Sequence, residues 1–177
     1  MLYAIIIINI RKKWWNMLNS DLDDIDLRIL RHMQEDARLT NVELADRVGL
    51  SPSPCLRRVR RLEEDGVISG YMTFVDQTKV GLPVSVFVSV ALKEQSEKAL
   101  DEFERAIDAL PEVMECYLMT GASDYLLRVV TKDLSDYESF LKRHLTCIPA
   151  IASINSSFAL KQVIYQTALP LEAGTNK

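Results

Sequence analysis

From Asp23 onward the apolar side chains recur at helical intervals. Ile25, Leu27, Ile29, Leu30 and Met33 include the three- and four-residue steps of one helical face. Asp21, Asp23, Asp24 and Asp26 crowd its start, where negative charge suits the positive end of a helix dipole. A second, short helix is predicted in TNVELADRVGL. Thr40 and Glu43 are spaced as a capping box, Val42, Leu44, Ala45 and Val48 form the apolar side, and Gly49 stands where a left-handed stop belongs. A third helix follows at once in SPSPCLRRVRRLEEDG. Ser51 is placed to cap it, Pro52 fits the first turn, Pro54 is early enough to be tolerated, and Cys55, Val59 and Leu62 make a buried stripe before Gly66. VISGYMTFV then predicts strand, turn and strand, with Gly70 in the bend. Three helices, the last two joined by a tight Gly-containing turn, with a hairpin behind them, make the winged helix-turn-helix pattern.

The second half changes period. VSVFVSVAL (84–92) alternates Val84, Val86, Val88, Val90 and Leu92 against Ser85, Phe87, Ser89 and Ala91, which predicts a strand. SEKALDEFERAIDAL predicts a helix with Ser96 as its cap, Leu100, Phe103, Ile107 and Leu110 in register, and Pro111 as its stop. VMECYLMTGASDYLLRVVT reads as two strands around a Gly-Ala-Ser-Asp turn. LSDYESFLKRHLTCIP reads as one helix, with Ser135 and Glu138 as a capping box, Tyr137, Phe140, Leu141, His144 and Leu145 as its buried stripe, and Pro149 as its end. SINSSFALKQVIY supplies a last strand. The order βαββαβ predicts a ferredoxin-like αβ sandwich, so the fold class is α+β. The expected division is an extension at 1–20 outside the fold, the helical domain at 21–71, a connector at 72–83 and the sandwich at 84–170.

Composition narrows the function classes. The 48% hydrophobic and 26% charged content of the 177 residues is that of a globular chain, which excludes a disordered one. The net charge of -4 weakens the case for diffuse polyanion binding, but it is unevenly spread. Residues 1–80 carry 12 cations and 12 anions, residues 81–177 carry 9 and 13, and Arg57, Arg58, Arg60 and Arg61 cluster in the neutral half. Cys55, Cys116 and Cys147 are too scattered for a disulfide framework or a CxxC site, so they are expected to be reduced and mostly buried, in a cytoplasmic protein. His32 and His144 offer no ligand spacing, and no metal or cofactor is expected. The opening MLYAIIIINIRKKWWN is far below the ~20 apolar residues that span a bilayer, and its cations follow the apolar run where a secretory signal puts them before it. No membrane partner is expected.

The helical frame gives the arginines a meaning that charge alone does not. An Arg-rich helix equally suits a solvated face in which Glu63 and Glu64 pair with Arg60 and Arg61. Here, however, the run opens the one helix that this motif presents to a DNA groove, with Ser53, Arg57 and Arg61 on an outward track and Pro54 and Arg58 beside it. Through DIDLRIL and NVELADRVGLSPSPCLRRVRRLEEDGVISGY the chain resembles the Lrp/AsnC (leucine-responsive, feast/famine) family of transcriptional regulators, from about Asp21 to Pro170. The resemblance implies that the third helix enters the major groove of double-stranded operator DNA, with Ser51, Ser53, Pro54, Arg57, Arg58 and Arg61 at the contact.

No catalytic grouping is evident in the sandwich: it has no Gly-rich anion loop and no Ser/His/Asp or Cys/His set, and His144 reads as a packing residue. Bottom-up, Gly121-Ala122-Ser123-Asp124-Tyr125 is what any tight hairpin wants. The resemblance implies more, namely a small effector, commonly an amino acid, bound around this turn at a subunit interface. Asp124 would take the ammonium, N–H groups near Gly121 and the hydroxyls of Ser156 or Ser157 the carboxylate, and Tyr117, Met119 and Tyr125 the side chain. Where many members carry an acidic residue, this chain has Ala122. Apolar residues on both faces of 84–92 predict a homodimer through paired sheets, and the resemblance implies assembly to a tetramer or octamer. Two other readings remain open at this level: a protein-docking regulatory module of a metabolic enzyme, and a transcription factor that senses thiol chemistry through Cys55, Cys116 or Cys147.

Overall fold

The computed structural model describes residues 22–171; the extension expected at 1–20 lies outside them. The described chain divides into two compact units, one of residues 74–163 and one of residues 22–73 together with 164–171.

The helical unit contains α1 (Asp24–Glu35), α2 (Asn41–Val48) and α3 (Pro52–Glu64). Asp23 caps α1, its carboxylate accepting the Ile25 and Asp26 N–H groups at 2.9 Å each, while Asp26 accepts the Asp23 N–H at 3.2 Å. Thr40 and Glu43 form the expected capping box on α2, and Gly49 takes the left-handed stop with φ of 72°. At α3 the Ser51 side chain makes no capping bond. The Asn41 amide instead donates to the Pro52 carbonyl at 2.8 Å and ties the starts of α2 and α3 together. Ile29, Val48, Cys55 and Leu62 are fully buried between the three helices. Packing of this apolar face, rather than propensity, holds an eight-residue helix such as α2.

One expectation is corrected here. No strand pair forms over residues 67–75. After α3 the chain runs on with Tyr71 and Met72 exposed; Val67 and Ile68 pack on the helical core, and the Ile68 N–H donates to the Leu62 carbonyl at 3.0 Å. A lone two-stranded hairpin is marginal in water, and here packing on the helical core takes Val67 and Ile68 in its place. At the other end of the chain, residues 164–171 belong to the same compact unit as the helices. The Gln34 side chain accepts the Leu169 N–H at 2.7 Å and donates to the Leu169 carbonyl at 3.3 Å, and Leu171 packs on the helical core.

The sandwich unit runs β1 (Val84–Leu92), α4 (Glu97–Asp108), β2 (Val113–Leu118), β3 (Tyr125–Thr131), α5 (Leu134–Phe140) with a π-helical turn at Leu141–Leu145, and β4 (Ile151–Phe158). The sheet is antiparallel in the order β2-β3-β1-β4, the ferredoxin-like arrangement. Register sets Val86 against Val129, Val88 against Leu127 and Val90 against Tyr125, so one face is a continuous apolar surface under Phe103, Ile107 and Phe140. Ser96 caps α4 as expected. Asp133, not Ser135, caps α5, accepting the Asp136 N–H at 2.8 Å; Ser135 falls inside the first turn. The single helix expected up to Pro149 widens at Leu141, where the Thr146 N–H bonds the Leu141 carbonyl five residues back. That wider turn lets Phe140 and Leu145, five apart, both be buried.

Candidate nucleic-acid interface and effector turn

The outward side of α3 is built by subtraction. Cys55, Val59 and Leu62 occupy the core, so Ser53, Arg57, Arg60 and Glu64 stand on the exposed side, and Ser51 and Ser53 are exposed at its leading end. Pro54 is half-buried. Among the described residues no ion pair holds Arg57 or Arg60. The pairing of Glu63 and Glu64 with Arg60 and Arg61 that charge alone suggests does not form: Glu63 accepts the Tyr71 hydroxyl at 2.7 Å.

Arg58 and Arg61 differ from the outward track expected of them. Arg58 Nη1 donates to Asp23 Oδ2 at 2.7 Å and to Asp26 Oδ1 at 2.8 Å, and Arg61 Nη2 donates to Asp26 Oδ2. The Asp26 side chain is 0% exposed, Arg58 26% and Arg61 47%. A buried carboxylate needs such partners, because an unpaired charge there costs several kcal/mol (order of magnitude). Partial burial pushes the Asp23 carboxyl up, but the Asp26 N–H and the Arg58 guanidinium outweigh it, and the group lies below its ordinary value. Hydrogen bonds to Asp26 and Asp23 raise Arg58 in turn. In the sequence the acidic cluster read as a helix-dipole feature alone; its arginine partners lie 32 to 35 residues on and leave no local trace.

In the sandwich, residues 119–124 close the β2–β3 connection. Gly121 has φ of 125°, a conformation other residues rarely adopt. Asp124 is buried and its carboxylate is engaged: Oδ2 accepts the Leu92 N–H at 2.7 Å and Oδ1 accepts the Gln95 amide at 2.6 Å. Its own N–H donates to the Val90 carbonyl at 2.9 Å, and the Met119 N–H donates to its carbonyl at 2.8 Å. The turn is thereby pinned to the exit of β1, through a Gln95 that the sequence did not single out. Ala122 and Gly121 are exposed, and Ser123 is half-buried.

The remaining effector residues do not all converge. Tyr125 is 1% exposed, its ring centroid 4.4 Å from that of Phe103 and its hydroxyl donating to Glu104 at 2.7 Å, so it belongs to the core of its own chain. Burial first and Glu104 second push its phenol far up. Ser156 is also on the helix side, 2.5 Å from the Tyr137 hydroxyl. Ser157 opposes Phe87, three residues along β1 from Val90, or about 10 Å of strand. Within one chain, then, neither serine reaches the turn. Tyr117 and Met119 are exposed, and the Tyr117 hydroxyl donates to Glu115 at 3.0 Å on the sheet's uncovered face.

The cysteines depart from expectation as well. Cys55 is buried, whereas Cys116 and Cys147 are exposed at the surface. Desolvation, helped by Glu104, pushes the Cys116 thiol up to about 11, which leaves little thiolate at neutral pH for redox sensing. Among the described residues no cluster of three or more potential metal ligands occurs, and no helix is long and apolar enough to cross a membrane.

Comparison with known proteins covers both units. The winged helix-turn-helix DNA-binding model matches residues 22–69 and the Lrp/AsnC ligand binding domain model matches residues 85–169. The Bkd operon transcriptional regulator of Pseudomonas aeruginosa is 51% identical over 152 residues, which are 86% of this chain and 99% of that protein. The leucine-responsive regulatory protein of Rhizobium meliloti is 41% identical over 143 residues, 81% of this chain and 92% of that one. A transcriptional regulator of Neisseria meningitidis, solved as its complex with L-Met, superposes with a TM-score of 0.81 at 38% identity, covering 85% of this chain and 97% of that one. The helical unit with its arginine-bearing third helix, the αβ sandwich that follows it in the chain and these matches lead to one conclusion: the chain belongs to the Lrp/AsnC family of DNA-binding, ligand-responsive transcriptional regulators.

Proposed function

We propose that α3 enters the major groove of operator DNA, led by Ser51, Ser53 and Pro54, with Arg57 as the principal base or phosphate contact. Arg60 joins it, and Arg58 and Arg61 stand at the margin because α1 holds them. The observation that carries this reading is the exposed Ser53–Arg57–Arg60 side of a helix whose opposite side is locked into the core. Guanidinium groups can bond guanine O6 and N7 in a bidentate fashion, worth ~1–3 kcal/mol of discrimination.

The sandwich is the sensing half. The effector is an amino acid, a class supported by the L-Met bound to the Neisseria meningitidis relative. It binds beside residues 119–124, where Gly121 and Ala122 are exposed, and Asp124 would meet the ammonium by giving up its bond from Gln95. Since Ser156 and Ser157 stand away from the turn in their own chain, any part they play needs a second copy. Phe87 and Tyr117, 39% and 52% exposed on the uncovered sheet face, favour a homodimer there and larger assemblies built from it. The protein works in the cytoplasm, and the effector changes operator affinity only by favouring one assembly or helix spacing over another.

Substitution tests the DNA contact. Arg57→Ala and Arg60→Ala should each weaken duplex binding by about 10-fold, with the salt dependence shallower by about 0.9 per lost phosphate contact, and leave oligomer size unchanged. Gel shift and sedimentation on the same preparations check both. Wild-type affinity in both variants would remove these arginines from the interface.

A further inference from the structure

The four charged groups between α1 and α3 form one closed unit. Asp26 Oδ1 accepts from Arg58, Oδ2 accepts from Arg61 and from the Asp23 N–H, and Asp23 Oδ2 accepts from Arg58 as well. Two carboxylates meet two guanidiniums, so the unit is electroneutral. It sits at the margin of the exposed side of α3, where Arg57 and Arg60 keep their charge uncompensated by any ion pair among the described residues. Neutral pairs do not release counterions from a phosphate backbone; free cations do, whatever the base sequence. Arg61 is still 47% exposed and offers five N–H donors, of which the Asp26 bond occupies Nη2, so its head is oriented and not hidden.

We infer that Asp26, seconded by Asp23, is a positioning residue for operator discrimination: it withdraws Arg58 and steers Arg61, so that sequence-blind phosphate binding is held down while the Ser53–Arg57–Arg60 side reads the groove. This rests on the DNA-binding reading of α3. Its consequence is counter-intuitive for a regulator. Removing one buried acid should make the protein stick more tightly to arbitrary DNA and tell sequences apart less well. A carboxylate that merely braced two helices would weaken binding to all sequences alike when removed.

The test uses the full chain and two duplexes of about 30 base pairs, long enough for successive major grooves. One is selected from a random pool by the wild-type protein, and the other is a shuffled version of it. Affinity is followed by fluorescence anisotropy across salt concentrations. Asp26→Asn should steepen the salt slope on the shuffled duplex by about one to two, at roughly 0.9 per freed cation, and shrink the selected-to-shuffled ratio by about 10-fold. Asp23→Asn, which leaves the Asp26–Arg61 bond intact, should give the smaller change in the same direction, and it decides the matter if Asp26→Asn does not fold. Asp24→Asn is the control for net charge, since Asp24 is an exposed acid of the same turn and should change neither slope nor ratio. Unchanged slope and ratio in the folded variants, an equal loss on both duplexes, or an equal effect from Asp24→Asn would each overturn the inference. If the wild-type chain itself shows no preference for its selected duplex, the DNA-binding reading falls instead.

Discussion

Asp23 shows how much a single side chain carries at the head of a short helix. Its carboxylate takes two backbone N–H groups of α1 and one arginine of α3, and these bonds hold its pKa below the ordinary 3.8. A carboxylate depressed in the folded state contributes stability that is complete above its unfolded pKa and is lost as pH falls through the folded one. The helical unit should therefore weaken on acidification from about pH 4 downward, and Asp23→Asn should flatten that limb while leaving the pH 5–7 region without slope. Denaturant melts at successive pH values check this; identical acid limbs in the two proteins would contradict it. The same scale shows where sequence reading stops. Tyr125 follows directly on the functional-looking Gly-Ala-Ser-Asp turn, and only the strand register, which sets it against Val90 on the helix side, reveals a core residue. Asp26 sits in the first turn of α1, and no local pattern announces that its partners are Arg58 and Arg61.

At the scale of elements, period and punctuation were good guides wherever a stretch settles its own structure. The Cys55–Val59–Leu62 stripe is buried as spaced, Thr40 and Glu43 cap each other, and Gly49 closes α2. Elements that depend on distant partners were not legible. The stretch at 67–75 has alternation and a glycine, yet it forms no strand pair among the described residues. The α5 segment has an uninterrupted helical pattern, yet widens into a π turn because the sheet beneath requires both Phe140 and Leu145. The interlock of α3 with its neighbours is thus the element-scale claim most open to measurement. Leu62 is 0% exposed at the centre of the helical core. Leu62→Ala should cost about 2–5 kcal/mol in denaturant unfolding. A loss under about 1 kcal/mol would mean that α3 is held by something other than this stripe.

Across the whole molecule, charge is divided by task. The chain carries a net -4, all of it in residues 81–177, and the half that meets DNA is neutral with four of its twelve cations gathered on α3. Two of those four cations are matched by acids, which leaves a small, directed positive surface in place of a broad one. Such a protein should bind DNA weakly in general and selectively at its operator, the balance a genome full of competing sites demands. The most direct measurement is dimethyl sulfate protection of guanine N7, a major-groove atom, on a duplex selected by the full-length protein. Recognition by paired α3 helices predicts two protected patches about 34 Å apart along one face of the duplex, both weakened by Arg57→Ala. Tight binding with every guanine N7 still open to methylation would contradict it.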